Sequence, residues 1–249
     1  MTIDTAKPAL GTGLKDCVGL VVGATGGIGG ACLAQLAPIT GTVVATGRRP
    51  LPGPLPPNVR TCRADLATET GRQAITAAVM DTAAPLGYVV IASGQAHRAA
   101  IDELTADGLR ALLDVNVVAP IMLIKELLGL EWTDPAAIVV IGSLSARRAL
   151  PSRAAYGASK AALEQFARVA AVELAPRSIA VNTLSVGVVD TPFLAGDRER
   201  LERYIADRVP IGRMGNAKEV AHTVAYLVGA PGLLTGATIE MDGGTGAAG

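Results

Sequence analysis

The sequence predicts an α/β fold: a doubly wound parallel sheet of about seven strands with helices on both faces. Three observations carry this. Short apolar runs alternate with longer helical patterns along most of the 249 residues. The runs are apolar at consecutive positions, as strands covered on both faces require. The composition is 50% hydrophobic but only 3% aromatic, so the core must be Ala, Val, Leu and Ile, which suits close helix-on-sheet packing.

Taken in order, the first strand is expected over 18–22 and the first helix over 28–36, joined by a glycine-dense loop. A second strand follows at 42–46. The next connection, PLPGPLPPN at 50–58, holds too many prolines for a helix and reads as an extended crossover at the sheet edge. Strand 59–63, helix 69–82, strand 88–92, helix 106–128, strand 137–141, helix 153–174, strand 180–185, helix 218–228 and strand 238–241 complete the pattern. No repeat or composition break interrupts it, so 1–249 is expected to form one domain.

Composition also limits function. Lys plus Arg and Asp plus Glu both number 22 and are scattered, which gives no sign of a nucleic-acid or anionic-membrane surface. Cys17, Cys32 and Cys62 form no CxxC pair and leave an odd count, pointing to a reducing, cytoplasmic setting. Two histidines, His97 and His222, make a His-rich metal site unexpected, and no metal is assigned. The first 13 residues lack an apolar signal core, and no apolar run approaches transmembrane length.

The loop VGATGGIGG, 22–30, lies between first strand and first helix, where a doubly wound sheet binds a dinucleotide. Glycines let the backbone approach a phosphate, and free N–H groups at the helix start attract it. Gly23, Gly27 and Gly29 give G-x-x-x-G-x-G rather than the common G-x-G-x-x-G. A plain tight turn would use similar residues; its place after the first strand favours the cofactor, with Thr25 and Ile28 beside it. The second strand then ends in ATGRRP, and no acidic residue occurs between Asp16 and Asp65. A carboxylate there would accept from the ribose of NAD; Arg48 and Arg49 suit a 2'-phosphate instead, so the expected cofactor is NADP(H).

Tyr156 and Lys160 stand four apart in a helical pattern and share a face. A lysine near a tyrosine favours the phenolate and makes it a usable acid or base. Ser143 closes the preceding strand, at the edge of the sheet where ligands bind. With the glycine loop, this conjunction resembles the classical short-chain dehydrogenases/reductases, particularly 3-oxoacyl-ACP-reductase-like members, from the first strand nearly to the C-terminus.

The resemblance implies a Rossmann fold, hydride transfer between nicotinamide and a carbonyl or secondary alcohol, and a tetrad of Asn116, Ser143, Tyr156 and Lys160. Tyr156 would be the general acid in reduction, with Lys160 lowering its pKa and holding the nicotinamide ribose. It further implies adenine contacts at Asp65 and Leu66, an adenosine-ribose wall at Ala92, Ser93 and Gly94, and nicotinamide contacts at Val189 and Thr191. It also implies a small substrate lid near 192–210 with Phe193, Leu194 and Tyr204 as candidate contacts, and a homo-oligomer, tetramer or dimer. His97 and Arg98 are further cleft candidates, and Arg147, Arg148 and Arg153 lie near the entrance. The pattern departs at 91–92, where Ile91 and Ala92 replace an asparagine pair, at Gly26, often basic in NADPH users, at Val186, and in the prolines of 50–57. The alternative is a non-catalytic NADP-binding regulator on the same fold; a nucleotide-sugar epimerase would need a longer chain.

Pro120 adds an expectation of its own. It lies four residues after Asn116 and has no N–H, so the Asn116 carbonyl lacks its normal helical donor and the helix should open there. In the family that carbonyl holds a water of a proton relay.

Overall fold

The computed structural model describes residues 12–194 and 198–248. Its main sheet has seven parallel strands: β1 Val18–Val22, β2 Thr42–Gly47, β3 Val59–Arg63, β4 Leu86–Ile91, β5 Trp132–Ile141, β6 Ile179–Val186 and β9 Thr238–Met241. Their order across the sheet is β3-β2-β1-β4-β5-β6-β9. From β1 the chain winds outward through β2 and β3, then returns to start the other half at β4. The carboxyl ends of β1 and β4 therefore border the crevice where the winding reverses.

Helices α1 Gly27–Leu36 and α7 Ala217–Gly229 cover one face; α2 Glu69–Met80, α4 Ala119–Leu127 and α5 Ala154–Leu174 cover the other. Small aliphatics dominate both layers, with one large exception. Tyr88 is fully buried, and a Cβ at Gly19 would fall inside its ring, so the glycine of the first strand makes its room. Its hydroxyl shares a 2.9 Å hydrogen bond with Thr40 Oγ1, which satisfies the phenol in the core.

No helix joins β2 to β3, as the prolines of 50–58 require. Leu51 and Leu55 instead pack against the layer beside α1, and β3 is left as a half-covered edge strand. The expected helix 106–128 is divided. It runs as α3 Ala106–Leu113, widens into a π turn over Asp114–Val118, and resumes as α4. The Ala119 N–H donates to the Asp114 carbonyl, five residues back, and Pro120 follows at once. Helix opening at Asn116 is thus observed.

Two features were not anticipated. A short parallel pair, β7 Val189–Asp190 with β8 Gly215–Asn216, stands apart from the main sheet. The segment expected as a lid contains helix α6 Arg198–Arg208, while its residues 195–197 and the N-terminal stretch 1–11 lie outside the described residues. No helix of the described residues is long and apolar enough to cross a membrane.

Candidate active site

The glycine loop is built by close backbone packing. Gly23 has φ +85°, and a Cβ there would lie 2.7 Å from the Ser93 nitrogen, so the loop sits directly on the end of β4. The Gly23 and Ala24 N–H groups both donate to the Thr46 carbonyl at 2.9 Å, tying it also to β2. A Cβ at Gly27 would come within 2.5 Å of Thr191 Cγ2, so Thr191 rests on the first turn of α1. Val189 is buried two residues earlier, and its carbonyl accepts from Thr191 Oγ1 at 3.3 Å. Gly29 lies against the Gly23 carbonyl, and Ile28 is half-buried beside it.

Thr25 covers Gly47, the last residue of β2; a Cβ at Gly47 would be 2.7 Å from the threonine hydroxyl. A longer side chain at the strand end would therefore have to displace Thr25. Arg48 and Arg49 follow and are exposed. Arg49 Nη2 reaches the Thr25 carbonyl at 3.5 Å, and Arg63 Nε donates to the Arg48 carbonyl at 3.1 Å. Arg63, on the last residue of β3, went unnoticed in the sequence because only strand pairing brings it beside Arg48. Asp65 is exposed, and its Oδ1 accepts from the Ala67 N–H at 3.0 Å, which shapes the turn carrying half-buried Leu66. Across the crevice the Ala92 N–H donates to Val22 at 2.9 Å, and the Ser93 hydroxyl is buried with no hydrogen-bond partner among the described residues. A groove with backbone pressed into it, an unmatched hydroxyl and exposed arginines at one end fits an anionic dinucleotide.

Next to this groove lie the four expected catalytic side chains, all buried. The Ser143 hydroxyl lies close enough to the Tyr156 phenol to favour its ionised form. Ser143 Oγ also accepts from the Ser145 N–H at 3.2 Å, which orients it. Lys160 projects one turn beyond Tyr156 on α5, and Nζ donates to the Ile141 carbonyl at 3.0 Å. A Cβ at Gly94 would lie 3.3 Å from that Nζ and 3.5 Å from Asn116 Oδ1, so these groups converge. The Asn116 amide clasps Gln95 from both sides: Oδ1 accepts from its N–H at 2.8 Å and Nδ2 donates to its carbonyl at 3.0 Å. Nδ2 also donates to Ser159 Oγ at 3.0 Å, which in turn donates to the Tyr156 carbonyl at 2.7 Å. Ser159 was missed in the sequence, because its partner Asn116 comes from the π turn of another helix.

Electrostatically the site departs from expectation. Burial pushes the Tyr156 phenol upward, against the Ser143 hydroxyl and the charge of Arg153. Burial pushes Lys160 down to about 8. Lowering of the tyrosine by lysine is therefore not the dominant effect in the protein alone, because both groups are desolvated together. The Arg153 guanidinium carbon stands 5.4 Å from the Tyr156 ring centroid, and the Phe193 ring 6.3 Å away, tilted 48°.

The outer candidates divide. Phe193 is nearly half exposed beside Tyr156, and Leu194 is half-buried next to it. Tyr204 is half-buried on α6. The Ala99 N–H donates to Ser152 at 3.2 Å, which ties the loop of half-buried His97 and exposed Arg98 to the start of α5. Arg147 is not an entrance residue with a free head group. It holds Glu164 at 2.7 Å and Glu240 at 3.3 Å, and Arg168 joins Glu164 at 2.6 Å.

Among known proteins, the family model described as enoyl-(acyl carrier protein) reductase matches residues 23–246 of this chain. The rhamnolipids biosynthesis 3-oxoacyl-[acyl-carrier-protein] reductase of Pseudomonas aeruginosa is 34% identical over 191 residues, 73% of this chain and 74% of that protein. A 3-oxoacyl-[acyl-carrier protein] reductase from Brucella melitensis, in complex with NAD, superposes with a TM-score of 0.86 at 28% identity, covering 94% of this chain and 98% of its own. A short chain dehydrogenase from Burkholderia cenocepacia, in complex with NADP, gives 0.82 at 28% identity over 93% and 98%. Relatives of this fold thus hold nicotinamide coenzymes of both kinds.

Proposed function

From its membership of the short-chain dehydrogenase/reductase family, to which this chain belongs, we propose that it is an NADP(H)-dependent oxidoreductase acting on a carbonyl or secondary alcohol, a ketone or 3-oxoacyl reductase. The observation that carries the reading is the Ser143–Tyr156 hydroxyl pair, with Lys160 one turn on, at the crevice between the ends of β1 and β4. When bound, the coenzyme supplies or accepts the hydride. Tyr156 gives its phenolic proton to the carbonyl oxygen during reduction and removes it in oxidation. Ser143 donates a second hydrogen bond to that oxygen, orienting and polarising it. The Lys160 ammonium would hold the nicotinamide ribose, and Asn116 fixes the neighbouring Gln95 backbone.

The preference for NADP(H) is supported by Arg48 and Arg49 at the end of β2, the absent carboxylate, and Thr25 filling the space over Gly47. Arg63 fixes the Arg48 backbone. The Arg48→Asp variant is expected to raise the Kd for NADPH about 30-fold or more and to leave that for NADH within a few-fold, since charge-assisted contacts to phosphate contribute about 1.5–3 kcal/mol. Titration of both coenzymes by fluorescence checks this, and equal losses would sink the NADP assignment.

The chain would act as one unit, with 192–210 covering the substrate beside Tyr156 and Phe193. Val169 and Val172, exposed on α5 of this chain, suit a homo-oligomer, and its three free cysteines suit the reducing cytoplasm. The deciding experiment is NADPH oxidation with a carbonyl panel comprising an acetoacetyl thioester, diacetyl and cyclic ketones. Turnover with at least one member is expected; none with any of them, in NADPH or NADH, defeats the reading.

A further inference from the structure

Tyr156 is only 7% exposed and needs a positive charge to favour its phenolate. Lys160, one turn away, is 4% exposed and held by a single carbonyl. Arg153 is placed differently. It precedes the first residue of α5, its carbonyl accepts from the Gly157 N–H at 2.7 Å, and its guanidinium lies over the tyrosine ring. We propose that Arg153 is a positioning residue for the general acid: its guanidinium, stacked on the Tyr156 ring, supplies the permanent positive charge that holds the phenolate. The inference rests on the acid–base role given to Tyr156 above.

A cation over an aromatic face is attracted by the ring's electrons, and far more strongly by a phenolate whose charge is delocalised into that ring. The guanidinium therefore stabilises the ionised form relative to the neutral one. It does so at every working pH, because arginine does not deprotonate in proteins. Lys160, which burial brings down to about 8, carries its charge only in the lower part of that working range, so the Arg153 charge adds to it and persists beyond it.

Among the described residues, few other groups are placed to do this. From α5 and the residue before it the charged neighbours are Lys160 and Arg153, and the segment after β5 contributes the neutral Ser143 hydroxyl. From α3 and the residues before it come Leu104, Leu109 and Leu112, and from beyond β7 comes Phe193, all apolar. His97 and Arg98 belong to the loop joined to Ser152, the residue before Arg153. Of these, Arg153 acts on the phenol through charge and Ser143 through its nearby hydroxyl.

The test is a tyrosinate absorbance titration of the full chain without coenzyme, with the Tyr156→Phe signal subtracted to isolate this phenol. In Arg153→Gln the midpoint is expected to rise by about one pH unit, a tenfold change in the ionisation constant, and in Arg153→Lys it should stay near wild type. Arg153→Met serves if the Gln variant does not fold, as judged by circular dichroism. In alcohol oxidation, the acid limb of the kcat/KM profile should move the same way, with the coenzyme KM unchanged. An unmoved midpoint overturns the proposal. So does a changed KM for anionic substrates with an unchanged pH profile, which would make Arg153 a substrate anchor. A shifted midpoint in a chain that turns over no carbonyl would defeat the enzymatic reading, and with it the positioning role, while the coupling of the Arg153 charge to the phenol would stand.

Discussion

Tyr156→Phe is expected to lower carbonyl-reducing turnover by about a thousandfold or more while the Kd for NADPH stays within a few-fold of wild type. The reasoning starts from one atom. Phenylalanine keeps the ring, and with it the packing against Leu112, Ala155 and Leu109, the stacking of Arg153 and the contact with Phe193. Only the hydroxyl goes, and with it the proton source and the neighbour of the Ser143 hydroxyl. General acid–base catalysis contributes typically about 10²–10⁴-fold, and loss of the hydrogen bond to the carbonyl oxygen adds to that. The groove formed by Gly23, Gly27, Ser93 and Thr191 is built by other elements and is untouched. Single-turnover measurement with saturating NADPH, beside a binding titration, separates the two effects. Turnover within tenfold of wild type would remove Tyr156 from the role, whereas equal loss of turnover and coenzyme affinity would make it a structural residue.

How far the sequence foretold this site depends on how local each piece is. The glycine loop, the Tyr156–Lys160 pair and Ser143 are legible because spacing along one strand or helix sets their geometry. The proline segment is legible for the same reason, since missing N–H groups forbid a helix whatever surrounds them. Pro120 even marks the π turn before the structure is seen. What eluded reading depends on long-range packing. Arg63 meets Arg48 only because β3 pairs in parallel with β2, and Ser159 meets Asn116 across two helices. The pairing of Arg147 escaped reading because Glu164 and Glu240, which hold it, are 17 and 93 residues away. Spacing reveals the proximity of Lys160 and Tyr156 but not their burial, which pushes the phenol up and the lysine down in the protein alone. Helix α6 escaped because its charged sequence, RERLERYIADR, holds few apolar residues, although Leu201, Tyr204 and Ile205 recur at helical spacing.

Lys160→Met should abolish turnover yet stabilise the coenzyme-free protein at neutral pH by roughly 2 kcal/mol, taking about 1.4 kcal/mol for each tenfold change in the lysine's ionisation constant and allowing for the lost hydrogen bond to Ile141. The lysine titrates near 8 in the folded chain and near 10.4 when unfolded. Between those values the unfolded chain binds more protons, so stability rises with pH across this window and is lost as pH falls through 8. Below 8 both states are protonated and the full cost of burying the ammonium remains. Methionine has similar length, no charge, and room beside Gly94. Other groups also titrate in the alkaline range: burial raises Cys17 to about 11 and Cys32 to about 12, and Tyr156 is raised too. Their effect has the opposite sign, because the unfolded state loses those protons first. They are common to both proteins, so the difference between wild type and variant isolates the lysine. Urea unfolding of the two should show the variant ahead at pH 7 and the gap closing towards pH 10. A gap that is absent at pH 7, or that widens with pH, would mean the ammonium is not a strained charge in the fold. A closing gap would show a residue kept at the expense of stability, as expected of a group retained for binding and proton transfer.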